Sequence, residues 1–312
     1  MKPDIVLTVP IYATAVDQLD QAFTMRRLWQ AKHRGAFFAE AKDRVRAIAT
    51  AGGYRVDADL MDRLPKTEII STMSIGVDHI DLAAARERGI AVTNTPDVLT
   101  DDVADLGMAL VLAVARRVVF GDRHVRDGSW LKGNLPLASK VGGASVGILG
   151  LGRIGLAVAK RAEAFGMTIG YHGPRQKPGV AYRYYPNLIE MAGAVDYLMI
   201  TCPGGPATNG LVSAEVLTTL GKKGAVINIA RGSVIDEPAM VRMLQAGTLG
   251  GAGLDVFADE PRVPEALFAL DSVVLQPHVG SATHSTRAAM GQLVVDNLKA
   301  HFAGKKLLTP VT

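Results

Sequence analysis

Val146-Gly147-Ile148-Leu149-Gly150-Leu151-Gly152-Arg153-Ile154-Gly155 runs from a short apolar strand pattern straight into a turn of three glycines, and a helical pattern over 156–165 follows it. In a turn of this spacing the first glycine makes the tight reversal, and the second lets backbone N–H groups approach a pyrophosphate. The third lets the helix pack closely on its strand, with its N-terminus toward the anion. Glycines end many strands, so the turn alone is a weak sign. The strand before it, the helix after it and a second strand pattern at 167–171 turn it into a dinucleotide-binding unit. Gly150, Leu151, Gly152, Arg153, Ile154 and Gly155 are its expected cofactor residues.

The end of that second strand reads Tyr171-His172-Gly173-Pro174-Arg175-Gln176-Lys177. A NAD site places Asp or Glu here, about 20 residues past the turn, to bind the ribose 2′-OH. No acid occurs between Met167 and Ile189. Arg175 offers a planar fork suited to a 2′-phosphate, with Lys177 in support. A plain basic loop is the alternative. The missing acid favours NADP(H) over NAD(H), held by His172, Gly173, Pro174 and Arg175.

Working outward, short β-branched runs alternate with helical patterns along the whole chain, as in parallel sheets wound with helices. A first series of strands is expected at 5–8, 45–50, 68–71 and 91–93, with helices at 59–64 and 82–88. A second series is expected at 145–149, 167–171, 197–201, 225–229, 250–254 and 273–275. Between them lies one long helical pattern, 101–120, with Thr100 as its N-cap. A last helix, 285–300, is expected to cross back onto the first domain. The fold class is therefore α/β, with two Rossmann-like, doubly wound parallel-sheet domains. The substrate domain takes residues 1–98 plus 285–312, and the dinucleotide domain takes 99–284. Open α/β sheets bind ligands at the carboxyl ends of their strands, so the active site is expected in the cleft between the domains.

Composition excludes several classes. The 312 residues are 48% hydrophobic and 21% charged, ordinary for a globular chain and long enough for two cores. Aromatic residues make up only 5%, which suits helix-on-sheet packing better than an all-β sandwich. The formal charge of +4 is scattered among acids, as in Arg86-Glu87-Arg88, so no nucleic-acid stripe stands out. The longest uncharged apolar stretch, 106–115, is far short of the roughly 20 residues that span a bilayer. Asp4 stands where a signal peptide would carry no acid, and Cys202 is the single cysteine. A cytoplasmic protein without membrane, nucleic-acid or metal partner is expected.

Three later segments carry reactive groups just beyond expected strand ends: Arg231 in Ile229-Ala230-Arg231-Gly232, Glu260 in Asp255-Val256-Phe257-Ala258-Asp259-Glu260-Pro261, and His278 in Gln276-Pro277-His278-Val279-Gly280. Parallel strands bring their carboxyl ends to one edge, where these groups can meet. Singly, each has a plain explanation: a surface ion pair, an acid before a proline, a satisfied loop histidine.

Together with Ser74-Ile75-Gly76-Val77-Asp78-His79-Ile80-Asp81, the stretch Thr93 to Asp105, the glycine turn and Asn228 to Asp236, they make the chain resemble the D-isomer-specific 2-hydroxyacid dehydrogenases over nearly its whole length. Its glyoxylate/hydroxypyruvate reductase branch resembles it most. The resemblance implies a homodimer and a catalytic triad of Arg231, Glu260 and His278. It also implies a substrate loop at Ile75, Gly76 and Val77, with Asp255 on the nicotinamide carboxamide. Thr100, Cys202, Pro203, Thr208, Ile229, Ala230, Arg231, His278 and Gly280 would lie along the cofactor.

In that reading Arg231 binds the carboxylate and 2-oxo group of a small 2-oxo acid. His278 donates a proton to the carbonyl oxygen as hydride arrives, and Glu260 favours the charged imidazole. Trp130 either reaches the partner subunit or simply packs, and His79 is expected to be a surface residue. Gly204-Gly205-Pro206 departs from the family's more usual side-chain-bearing stretch, which leaves only backbone contacts there. Two other readings compete: a bulkier 2-oxo acid such as phenylpyruvate, and a non-enzymatic dinucleotide sensor, against which the intact triad weighs.

Overall fold

The protein is described by a computed structural model covering residues 2–311. It forms two compact units, one from residues up to Leu99 together with those from Ser281 on, the other Thr100–Gly280.

The first unit opens with β1 (Asp4–Leu7), α1 (Ala13–Ala22), β2 (Thr24–Arg27), α2 (Arg34–Ala41) and β3 (Val45–Ala51). It continues with α3 (Ala58–Arg63), β4 (Ile69–Met73), α4 (Leu82–Glu87) and β5 (Ala91–Thr93). All pairings in its sheet are parallel, in the order β2-β1-β3-β4-β5. β4 is buried at every position, as expected of a strand covered on both faces. Asp57 and Asp81 start α3 and α4 by accepting from the Leu60 and Ala84 N–H groups, 3.1 and 2.9 Å away. The core under these helices joins Val6, Ile48, Ile70 and Val92 to Leu60 and Met61. The chain's last helix returns to this unit, beside α1 and β4.

The second unit contains α5 (Thr100–Arg116), α6 (Val118–Arg126), β6 (Ser145–Leu149), α7 (Arg153–Ala164), β7 (Thr168–His172), β8 (Arg183–Tyr184), α8 (Leu188–Gly193) and β9 (Tyr197–Ile200). After these come α9 (Ala214–Leu220), β10 (Ala225–Asn228), α10 (Glu237–Gln245), β11 (Gly251–Leu254) and β12 (Val273–Leu275). The final helix of the chain, α11 (His284–Phe302), belongs to the first unit. The second sheet is also parallel throughout, in the order β12-β11-β10-β9-β6-β7-β8. The chain leaves β6 toward one edge and returns at β9 to build toward the other. Such a reversal of winding opens a crevice outside the carboxyl ends of the two central strands.

Two doubly wound parallel sheets are therefore present, as the alternation of patterns requires. The two strands without an expectation, β2 and β8, are sheet edges. β2 is Thr-Met-Arg-Arg with no buried position, and β8 has two residues. Neither carries an apolar run. The single helix expected over 101–120 is a correction: it breaks at Arg117, which takes a left-handed backbone at φ 53°, and α6 starts afresh. The apolar pattern continues into Val118 and Val119, but those side chains are exposed, so the break comes where α5 leaves its core. Thr100 is also not the N-cap. It is the first helical residue, and its hydroxyl is buried with no hydrogen-bond partner among the described residues.

Candidate active site

The glycine turn leaves β6 with Gly150 at φ 97°, in the left-handed region that favours glycine. A Cβ on Gly150 would fall 2.7 Å from the Cys202 backbone, and one on Gly155 would fall 2.5 Å from the Gly150 carbonyl oxygen. Nothing lies within 4 Å of a Cβ built on Gly152, so packing within the protein does not demand a glycine there. Close backbone approach by a bound phosphate would. α7 begins at Arg153, inside the motif, with Gly152 as its cap. The positive end of its dipole thus starts at the turn. Thr201, just past β9, donates from its hydroxyl to the Gly150 carbonyl at 2.7 Å and holds the turn.

Beside the turn is a cavity of about 430 Å³. Of the expected cofactor residues, Gly150, Leu151, Gly152, Gly173, Pro174, Arg175, Cys202 and Pro203 line it. Tyr171, Lys177 and Thr201 complete its wall. The residues present fit a dinucleotide: bare backbone at a helix N-terminus on one side, two cationic side chains on the other. Cys202 is buried, and burial pushes its thiol up to about 11, so it is a wall and not a nucleophile.

At the carboxyl ends of β10, β11 and β12, in register through Asn228, Leu254 and Leu275, stand Arg231, Glu260 and His278. His278 Nδ1 lies 2.7 Å from Glu260 Oε2. The other carboxylate oxygen of Glu260 accepts the Phe257 N–H at 3.0 Å. Burial disfavours the charged carboxylate, but the His278 hydrogen bond, the Phe257 N–H and the charges of His278 and Arg231 outweigh it. The Glu260 carboxyl is held below its ordinary range.

The supports of these side chains were not evident in the sequence. Asn228, fully buried, accepts the Ala230 N–H at 3.0 Å and donates to the Arg231 carbonyl at 2.9 Å, which folds the turn that presents Arg231. A Cβ on Gly232 would fall 1.9 Å from the Phe257 carbonyl carbon, so only glycine lets this turn meet the segment leading to Glu260. Gly204 faces Arg231, with a Cβ there 2.8 Å from Arg231 Cγ. The departure at Gly204 thus makes room for the arginine stem. Asp255 accepts the Val279 and Gly280 N–H groups at 2.7 and 2.9 Å, and its carbonyl accepts the His278 N–H at 2.9 Å. Burial raises the Asp255 carboxyl, against those two N–H groups and the charge of His278. A polar residue closing a buried strand was the one available signal for Asn228. Thr208 donates to the Pro203 carbonyl at 2.7 Å and closes its own loop.

In the first unit, the loop after β4 carries Ile75, Gly76 and Val77. Asn94 Nδ2 donates to the Ile75 carbonyl at 2.8 Å, and the Ser74 hydroxyl donates to the Gly76 carbonyl. In planar trans peptides the following N–H points opposite each carbonyl, so the Gly76 and Val77 N–H groups face away from these side chains. His79 corrects the surface expectation: it is half-buried, with Nε2 3.0 Å from the Thr72 hydroxyl at the end of β4. Trp130 is 63% exposed, and its indole N–H donates to the Asn134 side-chain oxygen at 3.2 Å. Among the described residues, no group of three or more His, Cys, Asp or Glu could hold a metal ion.

Comparison with known proteins finds relatives over nearly the whole chain. The family model for the NAD binding domain of D-isomer specific 2-hydroxyacid dehydrogenases matches residues 108–280. A hydroxyphenylpyruvate reductase of Plectranthus scutellarioides is 49% identical over 307 residues, 98% of each chain. A glyoxylate/hydroxypyruvate reductase of Arabidopsis thaliana is 48% identical over 307 residues, again 98% of each. Among solved structures, the NADPH-dependent glyoxylate/hydroxypyruvate reductase of Sinorhizobium meliloti in complex with NADP and malonate superposes with a TM-score of 0.94. It is 44% identical and covers 100% of this chain and 97% of that one.

Proposed function

The chain belongs to the D-isomer-specific 2-hydroxyacid dehydrogenase family, and from that premise we propose that it reduces small 2-oxo acids, glyoxylate and hydroxypyruvate first, to D-2-hydroxy acids with NADPH. The observation that carries the reading is the Glu260–His278 pair at 2.7 Å, beyond the ends of β11 and β12, with Arg231 beyond the end of β10 next to β11.

Bound NADPH supplies the hydride. Arg231 takes the substrate carboxylate and 2-oxo oxygen in its planar fork. Nδ1 of His278 is committed to Glu260, so Nε2 is the ring nitrogen that gives its proton to the carbonyl oxygen as the carbon accepts hydride. Ionised Glu260 holds the ring and offsets the imidazolium charge. Oxo acid, NADPH and one proton thus become hydroxy acid and NADP⁺. Arg231, Glu260 and His278 are the catalytic residues of this proposal.

Preference for NADP(H) over NAD(H) is supported by the acid-free segment after β7 and by Arg175 and Lys177 on the cavity wall. A homodimer is supported by α6, none of whose own residues is fully buried and whose Val118, Val119 and Val125 are exposed. The lone cysteine supports a reducing cytoplasm, and no helix among the described residues is long and apolar enough to cross a membrane.

A second reading, a bulkier aromatic oxo acid, is favoured by the hydroxyphenylpyruvate reductase relative. Steady-state NADPH oxidation with glyoxylate, hydroxypyruvate and 4-hydroxyphenylpyruvate decides between them. A kcat/KM highest for the two small acids is expected, and a highest value for the aromatic acid replaces the first reading with the second. Tight NADPH binding with no turnover of any of the three would leave only a dinucleotide sensor.

A further inference from the structure

The segment that carries Arg175 is fastened at both ends by tyrosine hydroxyls. At its start, Tyr184 on the edge strand β8 donates to the Gly173 carbonyl at 3.1 Å. At its end, the Lys177 N–H donates to the Tyr171 hydroxyl at 2.8 Å. The two tyrosines are register partners across β7 and β8, and their rings lie 5.3 Å apart at an angle of 49°. Tyr171 is 1% exposed, so its hydroxyl is a fixed post. His172 strengthens the same edge: its Nδ1 lies 2.8 Å from the Tyr185 carbonyl, an oxygen that can only accept. Between the two fastenings are three residues, Pro174, Arg175 and Gln176, all exposed. Pro174 fixes one more backbone angle.

An exposed arginine on a free loop loses backbone and side-chain entropy when it closes on a ligand, whereas a loop fastened beforehand loses less. The saving is collected only by a ligand that engages the loop's cations. A ribose carrying a 2′-phosphate does so, and a ribose with a free hydroxyl does not. We propose that Tyr171 and Tyr184 are positioning residues for coenzyme selection, holding the loop so that Arg175 and Lys177 meet a 2′-phosphate already in place. This rests on the reading of Arg175 as the 2′-phosphate contact.

The test uses the full-length protein and two probes measured by titration calorimetry, adenosine 2′,5′-bisphosphate and adenosine 5′-monophosphate. Arg175→Asp, Tyr171→Phe and Tyr184→Phe are compared with the unaltered chain. Each tyrosine change removes one hydroxyl and leaves the ring packing, so each protein should fold, and thermal denaturation checks that it has. The bisphosphate Kd should rise about fivefold in each tyrosine variant, the effect of one modest hydrogen bond, while the monophosphate Kd moves less than twofold. The ratio of the two is what a purely structural role would not change. Equal weakening of both probes, or no change in either, overturns the proposal if Arg175→Asp still selectively loses the bisphosphate. If Arg175→Asp weakens both probes alike, the coenzyme reading itself fails and this inference with it.

Discussion

His278 holds a left-handed backbone at φ 55°, a conformation that costs a residue with a Cβ about 1–2 kcal/mol. The surroundings impose it: its N–H donates to the Asp255 carbonyl, the next two N–H groups donate to the Asp255 carboxylate, and its ring is held by Glu260. Because the Glu260 carboxyl is held low, the residue stays ionised through the working range of an enzyme at neutral pH. A carboxyl with a lowered folded-state pKa adds stability in full above its unfolded value, near about 4.3, and loses it as pH falls through the folded value. The counter-charge on His278 is lost in that same acid window. Glu260→Gln keeps the shape and a hydrogen-bonding atom but removes the charge at all pH values. The protonated ring then lacks its counter-ion, and the reductive kcat/KM profile is expected to move to lower pH. An unchanged profile across pH 5–9 would remove Glu260 from the proton-transfer role.

At the level of elements, the site is an alignment of strand ends, and Asp255 ties two of them. It follows β11 directly and accepts two N–H groups from the loop beyond β12. Burial raises its carboxyl, so ionisation there opposes stability, with the full contribution present only at low pH and lost as pH rises through the folded value. Asp255→Asn abolishes that cost but offers one acceptor where two N–H groups converge. One buried donor left unsatisfied costs about 1–3 kcal/mol, and hydrogen bonds to a charged group lie at the upper end. The lost acceptor therefore wins. The Tm is expected to fall, and kcat to fall about tenfold or more as the His278 turn loosens. A variant with unaltered Tm and kcat would show the tie to be idle. This tie also marks where sequence reading stops. The strands with β-branched runs, the glycine turn and the order of Arg231, Glu260 and His278 are legible because each is local in the chain. Asn228, Gly232 and the paired N–H groups on Asp255 are not, because their partners come from other strands and only the folded sheet brings them together. The edges β2 and β8 escape for a different reason: an edge strand needs no apolar face, so it leaves no pattern.

Over the whole molecule the surface is mixed in charge, with ion pairs such as Arg161 to Asp101 and Asp105, and the apolar exception is concentrated in one region. No residue of α6 is fully buried, Val118 and Val125 are exposed two turns apart on one face, and Leu131 and Leu137 after it are 94% and 97% exposed. A run of exposed apolar side chains on an otherwise polar surface is what a second copy of the chain would cover. Since Val118 and Val125 are 54% and 57% exposed, changing this outward face should leave each chain folded. Burying a valine at an interface is worth roughly 1.5–3 kcal/mol, and placing an unpaired carboxylate there costs more. Val118→Asp with Val125→Asp should therefore weaken dimerisation by at least about a hundredfold, or roughly 3 kcal/mol. Sedimentation equilibrium at micromolar concentration reads this directly. The unaltered protein is expected at twice the chain mass of 33.0 kDa and the double variant at that mass itself, with the far-ultraviolet circular dichroism of the two unchanged. An unaltered protein that sediments as a monomer removes the dimer, and a double variant that keeps the doubled mass moves the interface away from α6.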